Sequence, residues 1–326
     1  MTFHNFVTSF WSSTINGLVL GSIYALVALG YTLVYGVLRL INFANSEVFM
    51  LSAFGSFLAV KVLNIQGTNN AAKTGLVLIG VMALCLLVSV VIGGVVAVVV
   101  ERVAYRPLRK RNAPRLVFLI SAIGASFALS EAVGEWGIPF IKNKQREDYA
   151  LAKYFSKSQL FKIFGADVYN SDIIIFVGAA LMSVILVLFV SRSRVGRGIR
   201  AVAQDAETAK LMGVNVDRII LITFLVGGVM AGGAAFLYEL HTPYARYDVG
   251  FEIGVKAFTA AVLGGIGNVK GALLGGVLLG VIEVYGSSLF GADQNIGTVF
   301  AFITLVLVLM FRPSGLLGES LGRSKA

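Results

Sequence analysis

The sequence has almost none of the residues from which catalytic and metal sites are built. Its 326 residues include two histidines, His4 and His241, and neither has neighbours at the spacing of metal ligands. The single cysteine, Cys85, excludes a disulfide within the chain and a thiolate metal cluster. No G-x-x-x-x-G-K-[ST] phosphate loop and no G-x-S-x-G nucleophile elbow occur. We therefore expect no catalytic residue, no cofactor, no metal and no ATPase site in this chain.

Charged residues are also scarce. They make up 13% of the chain against 57% hydrophobic residues, and the mean hydropathy is +0.84. The apolar residues form long uncharged runs near the roughly 20 residues that cross a bilayer as a helix. We predict an all-α, polytopic transmembrane bundle of about eight to ten spans, forming one domain over residues 1–326. The regular runs are residues 14–38, 74–100, 116–130, 173–191, 219–238 and 296–311, and two less regular runs are residues 48–60 and 257–292.

The basic residues that are present gather in three polar segments. These are residues 101–115, residues 191–218 and the tail after Phe311. Lysine and arginine are retained on the cytoplasmic side of membrane proteins, so all three segments, including the C-terminus, are predicted to face the cytoplasm. The N-terminus and residues 138–170 would then lie outside, and we expect three spans between Arg218 and Arg312. The net charge of +10 follows from this orientation without nucleic-acid binding.

Glycine is abundant, with 37 residues, and two groups of small residues recur at helical spacing. One face of the first span carries Gly17, Gly21, Tyr24, Ala28, Tyr31 and Tyr35. A second face carries Ala272, Gly276, Gly280 and Glu283, after the turn-like Gly264, Gly265, Gly267 and Asn268. Such faces serve either close helix packing or a moving interface between interrupted helices, as transporters have. Both interpretations remain open at this point.

Several polar residues interrupt the apolar runs. A carboxylate at mid-membrane costs about 2.5 to 3.5 kcal/mol on insertion scales, so Glu131 and Glu283 each need an interior partner or a proton. Glu131 is in phase with small residues and is expected to face them rather than lipid. These acids are either structural hydrogen-bonding groups or part of a conduction path, and the polar stretch at residues 42–47 is either a turn with a helix N-cap or a gate. The candidate path comprises Tyr24, Asn42, Asn45, Glu47, Glu131 and Glu283.

The polar segment at residues 191–218 lies between two apolar runs and is basic and helix-compatible. A helix over about residues 206–212, ended by Gly213 as a C-cap, would fit a docking element for a cytoplasmic partner. The alternative is a solvated amphipathic helix with no partner.

Three blocks together resemble a known family. Residues 16–50 (NGLVLGSIYALVALGYTLVYGVLRLINFANSEVFM), 196–218 (GRGIRAVAQDAETAKLMGVNVDR) and 258–283 (FTAAVLGGIGNVKGALLGGVLLGVIE) occur in the family's order. They resemble the permease subunits of bacterial ABC importers for branched-chain amino acids, in particular the LivH-like half of the pair. The resemblance runs from about residue 16 to residue 315.

The resemblance implies a fold, partners and a coupling site. It implies a pseudo-symmetric pair with a second related permease, two cytoplasmic ATPase subunits that bind the ATP, an external substrate-binding protein and a lipid-embedded location in the bacterial plasma (inner) membrane. Substrate would pass between the permeases by alternating access. Importer permeases share an E-A-A-x-x-x-G segment that docks on the ATPase, and within a coupling segment at 192–218 this chain resembles it, with Thr in place of the middle Ala and no following Leu-Pro. The implied coupling residues are Glu207, Thr208, Ala209 and Gly213, flanked by Arg197 and Arg200.

Other functions remain as alternatives. Neutral amino acids other than leucine, isoleucine and valine remain open as substrates, and urea or short amides are a further possible substrate class within the same family. A secondary transporter driven by sodium or protons would use Glu131 or Glu283 to carry the coupling ion. A third alternative is a membrane scaffold without transport, which the polar interruptions inside the spans argue against. The docking-like segment favours the importer.

Overall fold

The computed structural model of the chain describes residues 3–62, 76–136, 149–150, 157–163, 165–242, 244–290, 294–312 and 314–318. These ranges are almost entirely helical. The helices are α1 (Phe3–Leu38), α2 (Asn45–Val62), α3 (Leu76–Val100), α4 (Arg106–Lys110), α5 (Arg115–Trp136), α6 (Asn170–Arg192), α7 (Arg194–Gln204), α8 (Ala206–Leu211), α9 (Val216–His241), α10 (Val249–Gly264), α11 (Val269–Phe290) and α12 (Gln294–Phe311). A π-helical turn, Glu101–Tyr105, joins α3 to α4.

The helix lengths confirm a multi-span membrane protein. Six helices among the described residues are long and apolar enough to cross a bilayer, and they begin at Phe10, Leu76, Arg115, Asn170, Val216 and Val269. The first of them, Phe10–Leu38, is the most deeply enclosed by the rest of the bundle. Three further helices, α2, α10 and α12, have 18, 16 and 18 residues. The predicted all-α transmembrane bundle is therefore confirmed.

The run at residues 257–292 is two helices rather than one. The chain reverses between α10 and α11, where Gly265 and Gly267 have φ of 105° and 98°, a conformation that residues with a Cβ rarely adopt. Asn268 Oδ1 then accepts the backbone N–H groups of Lys270 and Gly271 at 3.0 and 3.2 Å. The predicted turn is confirmed. Four helices, α9, α10, α11 and α12, lie in the region between Arg218 and Arg312, and two of them, α9 and α11, are long and apolar enough to cross a bilayer. The expectation of three spans there stays a prediction.

The segment predicted outside, residues 138–170, is only partly described. Its residues 138–148, 151–156 and 164 lie outside the described part of the chain. Within the described part, β1 (Tyr149–Ala150) pairs antiparallel with β4 (Tyr244–Ala245), and β2 (Gln159–Ile163) pairs with β3 (Ala166–Tyr169). The first pairing joins this segment to the connection between α9 and α10.

Glycine allows α1 and α11 to cross with their backbones in contact. A Cβ added to Gly21 would lie 2.8 Å from Val277 Cα, and one added to Gly17 would lie 2.9 Å from Val281 Cα. Cβ atoms on Gly276 and Gly280 would collide with the backbones of Ala25 and Gly21. Residue numbers rise along α1 as they fall along α11 at these contacts, so the two helices are antiparallel. The glycines of both predicted small-residue faces therefore serve close helix packing.

A second crossing of the same kind joins α3 to α9. Added Cβ atoms on Gly93 and Gly228 would each collide with the other residue's carbonyl oxygen, and one on Gly232 would lie 2.9 Å from Val90 Cα. The packing around the two crossings is also alike. Helix α2 packs against α3 and α9, as α10 packs against α11 and α1. The bundle therefore repeats its helix packing, with α1, α2 and α3 corresponding to α9, α10 and α11.

Candidate functional site

The polar segment between α6 and α9 folds into two short helices. Ser193 caps α7 by accepting the backbone N–H of Gly196 at 2.8 Å. Helix α7 then buries Ile199 and Val202 against the bundle and leaves Arg197 exposed. Buried apolar residues recur on one face, so α7 lies along the bundle instead of extending freely into solvent.

The second short helix, α8, is capped at both ends. The Asp205 carboxylate accepts hydrogen bonds from the Thr208 hydroxyl and, at 2.9 Å, from the backbone N–H of Glu207. These hydrogen bonds lower the pKa of the Asp205 carboxyl, so the ionised form caps the helix. Gly213 ends the helix with φ of 82°, and its N–H bonds the Lys210 carbonyl at 3.0 Å. The predicted helix and its glycine C-cap are confirmed.

Helix α8 exposes most of its surface and has one inward anchor. Ala209 is buried, whereas Glu207 and Thr208 are exposed. At its end, Leu211 and Met212 are 87% and 80% exposed. Two large apolar side chains in an otherwise polar segment are a surface that a partner can cover.

Of the two predicted flanking arginines, Arg200 contacts its own chain. Its guanidinium donates to the carbonyl of Val190 near the end of α6. Arg39, which the sequence did not single out, donates a 2.9 Å hydrogen bond to the carbonyl of Ala203. The end of α7 is therefore joined to the connection between α1 and α2.

A charged network joins the π-helical turn to the start of α9. Arg109 Nη2 lies 2.9 Å from Glu101 Oε1 and 2.9 Å from Asp217 Oδ1. Glu101 is buried, and the nearby Tyr105 hydroxyl donates a 2.9 Å hydrogen bond to Asn42 Oδ1. Asn42 therefore has a structural partner. Sequence reasoning missed Glu101, although a lone acid that follows an apolar run and opens a basic segment is a usable signal.

Glu47 is the centre of a first buried polar cluster. Its carboxylate accepts hydrogen bonds from Ser126 at 3.0 Å and from Ser46 at 3.3 Å. The facing helix α10 presents glycine here, because a Cβ on Gly250 would lie 2.6 Å from Glu47 Oε2. The second carboxylate oxygen, Glu47 Oε2, has no hydrogen-bond partner among the described residues, and neither do Asn45 Nδ2 and Tyr31 Oη.

This cluster lies deep in the bundle. Ser126 is eleven residues along α5 from Arg115, which is about 16 Å at 1.5 Å per residue. The hydrocarbon core of a bilayer is about 30 Å thick, so Glu47 lies near its middle. Asn45 and Glu47, both in the first turn of α2, are thus buried at a depth where unpaired polar groups are costly.

A second buried cluster lies on another face of α10. Lys256 Nζ is 2.7 Å from Glu283 Oε1 and 2.8 Å from Glu252 Oε1. It also lies 5.9 Å from the centre of the Tyr24 ring. The structure therefore brings the predicted residues Tyr24 and Glu283 together, and the interior partner expected for Glu283 is Lys256. Sequence reasoning missed Lys256, although a lysine four residues after a glutamate in an otherwise apolar helix is a usable signal.

Glu131 does not belong to either cluster, and the expectation that it is a buried acid is wrong. Its side chain is exposed on α5. The buried side of α5 is formed by Phe118, Ala122 and Ser126 at four-residue spacing, and Glu131 is five residues after Ser126. Five residues turn a helix by about 500°, so Glu131 lies well off that stripe.

One more buried acid was missed. Glu239, in α9, accepts a hydrogen bond from the Ser56 hydroxyl of α2 and is 4% exposed. Within the described ranges, no three His, Cys, Asp or Glu side chains come together in a way that could hold a metal ion.

These features define a class of protein. A multi-span helical bundle, closely packed through glycine, holds ionisable clusters at membrane depth and presents a capped, exposed helix pair between two spans. The chain is a multi-pass membrane protein.

Comparison with known proteins gives the family. The family model described as the branched-chain amino acid transport system permease component matches residues 13–309, and the chain belongs to this family. The high-affinity branched-chain amino acid transport system permease protein BraD of Pseudomonas aeruginosa is 41% identical over 94% of this chain and 94% of its own. LivH of Escherichia coli K12, a permease of the same description, is 38% identical over 95% and 96%. A solved metal-chelate type ABC transporter in an inward-facing conformation is 17% identical, with a TM-score of 0.46 over 90% of this chain and 83% of that one.

Proposed function

We propose that this chain is one permease subunit of an ABC importer that moves branched-chain amino acids into the cell. The observation that carries the proposal is the match to the permease family over residues 13–309, together with two relatives whose names give that substrate. The chain works with a second related permease, two cytoplasmic ATPase subunits that bind the ATP, and an external substrate-binding protein. It catalyses no reaction itself and lies in the bacterial plasma membrane with its C-terminus in the cytoplasm.

The capped helix α8 is the docking element for an ATPase. Its N-cap and C-cap hold a rigid turn, its exposed residues Glu207, Leu211 and Met212 contact the partner, and Ala209 anchors it to the bundle. Movement of α8 is transmitted to α7. The hydrogen bond from Arg39 to the Ala203 carbonyl then transmits it to the connection before α2. Helix α2 begins at the cluster around Glu47. ATP binding and hydrolysis thereby act on the polar interior of the bundle, as alternating access requires.

Reconstitution tests the proposal. The complex of both permeases and both ATPases is placed in liposomes with ATP inside and binding protein outside, and uptake of labelled leucine is measured. We expect uptake only when ATP and loaded binding protein are both present. Uptake driven by a sodium or proton gradient without ATP would instead support a secondary transporter. Uptake of urea with no uptake of leucine would change the substrate class.

A further inference from the structure

A cavity of about 140 Å³ lies between α10 and α12. Its walls are mainly apolar, formed by Phe251, Val255, Ala301 and Phe302, and the charged residues Glu252 and Lys256 stand at its edge. The mechanism proposed for ATPase coupling does not use this cavity.

One ammonium group and two carboxylates lie together beside the cavity, so negative charge is in excess. Lys256 faces two carboxylates, Glu252 at 2.8 Å and Glu283 at 2.7 Å, and both contacts use the Oε1 atoms. Glu283 Oε2 is buried and has no hydrogen-bond partner among the described residues. The Glu252 side chain is 42% exposed, so it is accessible to a ligand. An ammonium group has three N–H donors, and these two contacts occupy two of them. The cluster can therefore bind one further cationic group through Glu252 and one further acceptor through Lys256.

The size and position of the cavity fit a short aliphatic group. An enclosed apolar cavity of about 150 Å³ admits benzene. This pocket has a similar volume and is open on one side, where Phe251 and Phe302 are exposed, so the four-carbon side chain of leucine or isoleucine can enter it. The cluster also lies at membrane depth, because Tyr24 beside Lys256 is the central residue of the 29-residue span Phe10–Leu38.

We propose that this cavity is a substrate-contact site on the translocation path. It receives the branched side chain of the amino acid, while the α-ammonium group meets Glu252 and the α-carboxylate meets the remaining N–H of Lys256. The inference rests on the proposed function and adds the place in this chain at which substrate is held.

The first test reduces the cavity. Ala301→Leu fills the apolar wall, and Ala180→Leu makes the same change at an exposed position on α6. In the reconstituted complex, we expect Ala301→Leu to lower leucine uptake about tenfold. The leucine-to-valine uptake ratio should fall about fourfold, because the smaller pocket no longer buries the one methylene by which leucine exceeds valine. Ala180→Leu should keep the wild-type leucine uptake and the wild-type leucine-to-valine ratio. An unchanged leucine-to-valine ratio in Ala301→Leu would overturn the proposal.

The second test locates the substrate directly. During turnover of the complete wild-type complex, L-photo-leucine is photolysed and the labelled peptides are identified by mass spectrometry. We expect label within residues 249–264 or 294–311, displaced by excess leucine and reduced at least fivefold in Glu252→Gln. Label confined to other helices would overturn the site, whereas a wild-type complex without ATP-dependent uptake would overturn the proposed function instead.

Discussion

The guanidinium of Arg39 donates a 2.9 Å hydrogen bond to the backbone carbonyl of Ala203, joining the end of α1 to the end of α7. Arg39 has φ of 55°, a left-handed conformation that is uncommon for a residue with a Cβ. Ala203 lies two residues before Asp205, which caps α8, and Arg39 lies six residues before Asn45, which begins α2. One hydrogen bond thus connects the docking helix with the chain that leads to the Glu47 cluster.

The first prediction tests this connection. Arg39→Ala removes the donor while leaving α8 and its caps intact. We expect the ATPases to co-purify with the permease as before, whereas stimulation of ATPase activity by loaded binding protein falls at least threefold. Arg192→Ala, at an exposed position at the end of α6, is the control and should keep full stimulation. Wild-type stimulation in Arg39→Ala would mean that coupling follows another route.

The second prediction concerns docking itself. Glu207→Arg reverses an exposed charge on α8, and Gly213→Val places a β-branched residue at φ of 82°, where it is strained. Both variants should insert into the membrane normally and lose most of the co-purifying ATPase. Asp167→Arg, a charge reversal on β3, should retain it. If both α8 variants retain the ATPases and their stimulation, the docking surface lies elsewhere, and the basic residues 102–115 are the next segment to test.

The third prediction concerns the buried ion pair. Glu283→Leu leaves Lys256 with one carboxylate in a buried site, and breaking such a pair typically costs about 3 kcal/mol or more. Glu283→Gln keeps a hydrogen-bond acceptor and should cost less. The double variant Glu283→Leu with Lys256→Met removes both partners and should recover part of the loss. Thermal unfolding of the purified complex measures these differences.

The exposed acid supplies the control for that series. Glu131→Leu should change the midpoint of unfolding less than Glu283→Leu, because Glu131 is exposed on α5 whereas Glu283 is paired with a buried lysine. If Glu283→Gln and Glu283→Leu have equal midpoints of thermal unfolding, the ion pair with Lys256 contributes little to stability.

The fourth prediction concerns the glycine crossing. Gly280→Val forces a branched side chain into the backbone of Gly21, so α1 and α11 must separate. We expect little folded permease in detergent extracts. Gly80→Ala, at a position with open space around it, is the control and should be neutral or stabilising by about 0.5 to 1 kcal/mol. If Gly280→Val gives as much folded permease as the wild type, α1 and α11 do not need the close backbone contact at Gly280.

Local patterns were sufficient for much of this fold and part of the site. Runs of apolar residues predicted the spans, and Gly213 predicted the end of α8, because both effects depend on neighbours along the chain. Small residues at helical spacing predicted two packing faces. The pattern did not reveal that the faces pack against each other, which depends on contacts between residues more than 250 positions apart.

The missed residues depend on such long-range contacts. Lys256 meets Glu283 only because α10 packs against α11, and Glu47 meets Ser126 only because α2 packs against α5. The error at Glu131 has the same origin. Its helical phase relative to small residues was read correctly, but that face of α5 is the exposed one, which sequence periodicity alone does not distinguish from the buried face.

The turn between α10 and α11 is also hydrogen-bonded to the segment that follows α12. The backbone N–H groups of Leu316 and Leu317 bond the carbonyls of Leu263 and Gly264 at 2.8 and 3.0 Å, and Asn268 Nδ2 bonds the Leu317 carbonyl at 2.8 Å. These residues are synthesised after α12. The hydrogen bonds that join this turn to residues 316 and 317 can therefore form only after α12 has been synthesised.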